Sequence, residues 1–152
     1  MKRSIYGEII FSTALEKFIV IARKPDIRIV SLDVEGQYAD VVLPLKGIQN
    51  AFSVDYDIVE NYIYWSDNDK KCITRAHPNG SNVQVIADYD IHSPDGLAFD
   101  WIARNLYWTD AGEPSMASAR IEVARANGTS RKILISSDLF EPRAIVVDPA
   151  EG

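Results

Sequence analysis

Apolar and polar residues alternate along much of the chain with a period of two, the spacing of a half-buried strand. In Tyr62-Ile63-Tyr64-Trp65-Ser66, residues 62, 64 and 66 face one way and residues 63 and 65 the other. β-Branched and aromatic side chains dominate these runs, which suits a pleated surface. No stretch carries the 3.6-residue period of an amphipathic helix. Turn signals separate the runs. Asn79-Gly80 and Asn127-Gly128 each stand between two of them, and Asn-Gly is a strong hairpin signal because both residues tolerate positive φ.

The pattern repeats. Tyr64-Trp65-Ser66-Asp67 returns 43 residues later as Tyr107-Trp108-Thr109-Asp110, and a degenerate copy, Val20-Ile21-Ala22-Arg23, lies 44 residues upstream. Before each copy comes an apolar stretch ending in Asp, at residues 51–55, 97–100 and 144–148, led in by Gly47, Pro94-Asp95-Gly96 and Pro142. After each copy an Ile (Ile27, Ile73, Ile121) opens a further strand. A turn follows at residues 33–36, 79–80 and 127–128, then a last strand at 39–43, 83–86 and 132–135. Four short strands every ~43 residues predict an all-β protein built from propeller blades. One such sheet hides its apolar faces only against neighbouring copies of itself. The lead-in prolines Pro94 and Pro142 are 48 apart, and the extra residues fall in 112–119, small and polar as a surface loop should be. The predicted organisation is a partial propeller over 17–152, preceded by a segment, 1–16, of unclear role.

Tyr-Trp-Ser/Thr-Asp at this spacing resembles the YWTD repeat, also called low-density-lipoprotein-receptor class B. Residues 22–33, 62–67, 94–110 and 131–149 are most similar to the second propeller of the Wnt co-receptor branch of that family. The resemblance implies a six-bladed propeller with an EGF-like module beneath. Six units need about 260 residues, so this chain reads as about three of the six blades, incomplete at its C-terminus. The resemblance also implies an extracellular or cell-surface module that binds secreted proteins, namely Wnt proteins and Wnt antagonists, without a cofactor. In the family the ligand face is formed by residues leading into the innermost strand of each blade. The matching positions are Asn50, Ser93, Asp95 and Arg143, with Arg23 and Lys24 in the first blade. Asn50 and Ser93 are milder than the acids and aromatics common there.

Charge adds little. The net charge of −6, from 22 acidic and 16 basic residues, is unlike the basic patch of nucleic-acid binders. The one cysteine, Cys72, forms no internal disulfide and reads as a small strand residue. Lys2 and Arg3 precede an apolar stretch that Glu8 interrupts, so the start does not read as a signal peptide. No apolar run reaches the 18 residues of a membrane span.

The candidate chemistry is sparse. Asp67 and Asp110 invite a metal or catalytic reading. They recur once per repeat together with Tyr64, Trp65, Tyr107 and Trp108, and so read as structural acceptors for buried N–H groups. Asp55, Asp100 and Asp148 read the same way. Asp67-Asn68-Asp69 opens like a calcium loop, but Cys72 and Pro78 stand where an EF-hand requires Gly and Glu. His77 and His92 lack a second ligand at useful spacing, and no nucleophilic triad, phosphate loop or CxxC is present. Asp88 and Asp90 read as solvated turn acids. No metal site and no enzyme activity are expected. Asn79-Gly80-Ser81 and Asn127-Gly128-Thr129 fit the N-glycosylation sequon, and equally fit plain turn chemistry.

Three rivals stand beside the receptor reading. A metal-dependent hydrolase on a propeller would need non-repeating acids and histidines at the central channel. A WD40-type scaffold would carry adjacent Trp-Asp, which here are separated by Ser or Thr. A truncated fragment without function would leave open blade faces and strand edges, through which copies could self-associate.

Overall fold

The strands form where β-branched and aromatic residues alternate, and they end where Asn, Asp, Gly or Pro turns the chain. The computed structural model describes residues 17–32, 40–113, 115–116 and 118–150. The first sheet contains β1 (Phe18–Arg23), β2 (Asp26–Ser31) and β3 (Asp40–Val42), paired in that order. The second contains β4 (Ala51–Asp57), β5 (Tyr62–Asp67), β6 (Cys72–Ala76) and β7 (Gln84–Ala87). The third contains β8 (Pro94–Asp100), β9 (Asn105–Asp110), β10 (Arg120–Arg125) and β11 (Lys132–Ile135). Each is an antiparallel meander, and no helix occurs among the described residues. The protein is a partial β-propeller.

The second and third sheets share one register. Ala51 faces Asp67 as Pro94 faces Asp110, and Asp57 faces Tyr62 as Asp100 faces Asn105. A bulge follows Ala51 and Pro94 alike. Residues 20–23 do belong to a strand equivalent to β5, since β1 pairs with β2 as β5 pairs with β6. The turn expected at 33–36, residue 39 and the segment 1–16 lie outside the described residues.

Two details differ from the sequence pattern. The counterpart of Asp100 is Asp57, not Asp55. Asp57 accepts the N–H groups of Val59 and Glu60, and Asp100 those of Ile102 and Ala103, so both close the same turn. Asp55 sits two residues earlier and reaches into the next sheet, accepting Phe99 N–H at 2.6 Å. The stretch 144–148 is not a strand: no ladder partner pairs with it among the described residues. It lies instead against β8, where a Cβ on Gly96 would stand 3.0 Å from the Ile145 nitrogen.

The core lies between the sheets. Trp65 packs with Ile27, Ile29 and Leu43 of the first repeat. Trp108 packs with Tyr64, Ile73 and Ile86 of the second. Each tryptophan thus plugs the face of the preceding blade, and burying such a side chain is worth roughly 1.5–3 kcal/mol. Tyr64 looks the other way and stacks on Phe99 of the third sheet at 5.0 Å between centroids. Its hydroxyl donates to the Ala126 carbonyl at 3.2 Å and accepts from Arg75 at 3.1 Å. Tyr107, its repeat mate, is half-buried because it lies on the outer face of the third sheet.

Candidate protein-binding face

The meander puts two sets of loops at one end of the second and third sheets. One set joins the second strand to the third; the other leads into the innermost strand. The recurring aspartates hold this end together. Asp67 accepts the N–H groups of Gln49 (2.8 Å) and Asn50 (3.2 Å) from the lead-in, and of Asp69 and Lys70 from its own turn. Asp110 likewise accepts His92 N–H (3.1 Å), Ser93 N–H (2.8 Å) and Gly112 N–H (2.9 Å). Both carboxylates are fully buried, and each fixes the loop that carries a candidate ligand contact.

At the rim of this end, successive repeats place Phe52, Asp95 and Arg143 at one equivalent position. Phe52 follows Ala51 and Asp95 follows Pro94 in matched registers, and Arg143 follows Pro142 at the next lead-in. The three line a cleft of about 660 Å³ together with Lys71, Glu113 and Phe140. Neighbouring blades set their backbones. Ser66 Oγ donates to the Asp95 carbonyl at 3.1 Å, and Thr109 Oγ1 donates to the Arg143 carbonyl at 2.6 Å. Arg143 spans Asp95 at 3.4 Å and Glu141 at 3.3 Å, and Lys71 meets Glu113 at 3.5 Å. Burial pushes the Asp95 carboxyl up, and the Arg143 charge partly opposes it. The exposed Phe140 and half-exposed Phe52 add apolar area. The cleft therefore offers two rings and paired charges of both signs, suited to a partner that brings both.

The six residues singled out from sequence separate into groups. Ser93, Asp95 and Arg143 line the cleft. Asn50 and Lys24 meet outside it on Asp69, at 2.9 and 3.8 Å. Arg23 ends β1 exposed, away from the cleft wall. Phe52, Lys71, Glu113 and Phe140 escaped the sequence reading. Phe52 stands one repeat before Asp95 and was open to discovery by counting; the others lie in turns with no periodic signal.

The remaining candidates take structural places. Cys72 is buried, which pushes its thiol up. His77 stacks on Tyr62 at 4.2 Å, its Nδ1 2.8 Å from the Asn61 carbonyl. His92 lines the cleft. Asp90, read as a solvated turn acid, is exposed and also accepts from Arg120 at 2.8 Å, because the β9–β10 arm brings that guanidinium over the β7–β8 loop. Asn79 and Asn127 are exposed at the opposite end, in the β6–β7 and β10–β11 turns.

Comparison with known proteins places these features in context. Residues 61–101 and 104–149 match the family described as low-density lipoprotein receptor repeat class B. The chain is 49% identical over 141 residues, 91% of its length, to low-density lipoprotein receptor-related protein 5 of Mus musculus, and spans 8% of that protein. It is 43% identical over 94 residues to the Homo sapiens low-density lipoprotein receptor-related protein 5-like protein, covering 62% of this chain and 35% of that one. A chain in the crystal structure of a nidogen/laminin complex superposes with a TM-score of 0.77 at 29% identity, over 89% of this chain and 50% of that chain. A gluconolactonase from Xanthomonas campestris superposes with a TM-score of 0.59 at 22% identity, over 87% of this chain and 50% of that one, a likeness of fold alone.

Proposed function

Because the chain belongs to the low-density lipoprotein receptor class B repeat family, we propose that it is an extracellular protein-binding module of the Wnt co-receptor type, which captures secreted ligands in the cleft between Phe52 and Arg143. One observation supports this most: three consecutive repeats present a ring, an acid and a base at the same rim position, all on one cleft. Chemistry varied on a constant frame is how a repeat protein builds a recognition surface. The frame is preformed, since buried carboxylates and hydroxyls fix the loops, so little ordering cost falls on binding. The charged pairs at the rim set orientation and encounter rate more than affinity. Wnt proteins and Wnt antagonists are the partners implied by the family resemblance. Turnover is no part of this reading.

The test reverses the rim. Asp95→Lys combined with Arg143→Glu keeps an ion pair at that place but inverts its polarity. Capture of a purified Wnt antagonist on a sensor surface should fall at least about tenfold, a loss of roughly 1.4 kcal/mol, while the circular dichroism stays unchanged. Undiminished capture by a folded double variant would remove the cleft from consideration.

A further inference from the structure

The first and third sheets leave complementary ends. The second and third sheets have four strands each, with β4 and β8 innermost, whereas β1–β3 correspond to β5–β7 and β9–β11. No described residue pairs with the free edge of β1. At the other end of the chain, residues 142–148 take the shape of an innermost strand that has no sheet. Pro142 stands where Ala51 and Pro94 stand, and the carbonyl after it accepts from Thr109 Oγ1 as that of Asp95 accepts from Ser66 Oγ. Asp148 accepts Ala150 N–H at 3.1 Å, closing the turn that Asp57 and Asp100 close in their own sheets. Leu97 and Phe99 send their N–H groups back to Ser53 and Asp55, which turns the Ala98 N–H toward β9. Val146, the counterpart of Ala98, is 88% exposed.

The faces at the two ends match as well. Phe18, Val20 and Ala22 pack toward the second sheet, so Ile19 and Ile21 point the other way. Ile21 occupies the position of Trp65 and Trp108, yet it is 39% exposed where they are 3% and 0%. Trp108 enters a face made by Tyr64, Ile73 and Ile86. The same register gives the third sheet Tyr107, Ile121 and Leu134 on its outer face, all half-buried or exposed. Charge agrees too. Asp67 and Asp110 bond to the residues that precede Ala51 and Pro94. Their counterpart in the first sheet is Arg23, and the residue that precedes Pro142 is Glu141, both exposed.

We infer that two copies of this chain close on each other, residues 144–148 of each adding the innermost strand to the first sheet of the other. In the register of β8 on β9, Ile145 meets Ile21 of the second copy, Val146 meets its Val20 and Val147 its Ile19, a strand addition held by main-chain bonds. Glu141 lies beside the second copy's Arg23. Ile21 plugs the outer face of the third sheet as Trp108 plugs that of the second. The contact is head-to-tail, and each copy both gives and receives it, so the closed pair leaves neither end open. Length agrees with two copies, since this chain superposes on half of the nidogen/laminin and gluconolactonase chains. A strand from residues 1–16 would cover the β1 edge but bring no sheet face to Ile21 and leave 144–148 unpaired. The inference does not rest on the proposed function.

Sedimentation equilibrium and cross-linking of the full 152-residue chain test it. At micromolar concentration the parent should weigh twice the 17.0 kDa of one chain. Val146→Pro deletes the N–H that enters the new ladder, and Ile21→Asp puts a carboxylate into the plug. Each should raise the dissociation constant of the pair at least about tenfold, with the circular dichroism unchanged. Ile19→Cys combined with Val147→Cys should give, on oxidation, a covalent pair and nothing larger, because both bridges join the same two chains. Within one chain the two cysteines stand on opposite sides of the stacked sheets and cannot bridge. Should Val146→Pro or Ile21→Asp fail to fold, the cysteine variant decides alone. A monomeric parent, the result if residues 1–16 fill the β1 edge, overturns the inference. So does a ladder of larger cross-linked species, the mark of an open filament, or a cysteine variant that stays unbridged.

Discussion

Arg104, in the turn after β8, grips the carboxylate of Asp57 at the end of β4 with both terminal nitrogens, Nη1 to Oδ1 at 2.7 Å and Nη2 to Oδ2. The bond joins two blades across 47 residues of chain. The Asp57 side chain is wholly buried, whereas that of Arg104 keeps 27% of its surface. Glu60 adds a second acid at 3.0 Å, and the guanidinium lies 5.0 Å from the centre of the Phe99 ring.

Arg104→Ala strips a buried carboxylate of its counter-charge, and removing one partner of a buried pair costs about 3–5 kcal/mol. The partly open guanidinium places this case near about 3 kcal/mol. Urea unfolding followed by tryptophan fluorescence should show the midpoint fall by that equivalent. Arg104→Lys should recover less than half, since an ammonium cannot make the two-pronged contact.

Acid should reveal two carboxylates of opposite sign. Burial pushes Asp57 up, but the Arg104 bonds and the N–H groups of Val59 and Glu60 outweigh it and hold it below the ordinary 3.8. Its stabilisation is complete above that value and is lost as pH falls from there through the lower folded pKa. Asp55 is raised, by burial against the N–H bonds of Phe99 and Tyr56. Its contribution is complete below the ordinary value and is lost as pH climbs through the higher folded pKa. Asp57→Asn should therefore flatten the acid limb of the urea-midpoint profile, and Asp55→Asn should flatten the segment just above it. Profiles parallel to the parent's would refute the assignment.

The two repeat tyrosines should separate in stability. Tyr64→Phe removes a hydroxyl bonded to Ala126 and Arg75 inside the core, a loss of about 1–2 kcal/mol. Tyr107 is half-buried, so Tyr107→Phe should shift the unfolding midpoint by less than about 0.5 kcal/mol. Equal costs would mean that the outer face of the third sheet is as closed as the inner one.

Gly96 allows residues 143–145 to lie against β8. An added Cβ would meet the Arg143 carbonyl and stand 3.1 Å from Ala144 Cα, and backbone on both sides leaves little room for adjustment. Gly96→Ala should push the Arg143 segment outward, break the Thr109 bond to its carbonyl and weaken ligand capture while the second sheet stays intact. Hydrogen exchange faster at residues 143–146 and unchanged in β5 would verify it.

The architecture was legible because its determinants are local and periodic. Alternation marks strands, Asn-Gly marks hairpins, and a 43-residue echo marks blades, each readable within a short window. Residues 144–148 form the same kind of apolar run ending in Asp yet pair with no strand among the described residues, since pairing depends on a neighbour that the pattern cannot see. The substitution of Asp57 for Asp55 as the turn-closing acid has a similar origin. Both end apolar runs, and only the register decides which one caps the turn and which crosses to Phe99. The cleft was half legible. Ser93, Asp95 and Arg143 stood out as polar lead-ins, whereas Phe52 hid at an equivalent position because an apolar residue there resembles core. The Arg104–Asp57 pair depends on how far one turn reaches over the next sheet, which no spacing encodes.

The hydroxyls of Ser66 and Thr109 each hold the carbonyl of a rim residue in the following repeat. The exchangeable part of this protein is therefore staggered relative to its visible blades. A graft that moves one whole blade would leave its rim residue under an unfamiliar donor, and would hand its own donor to a stranger. Cutting instead from one Tyr-Trp strand to the next keeps donor and rim together, so recognition chemistry is inherited in units that straddle two sheets.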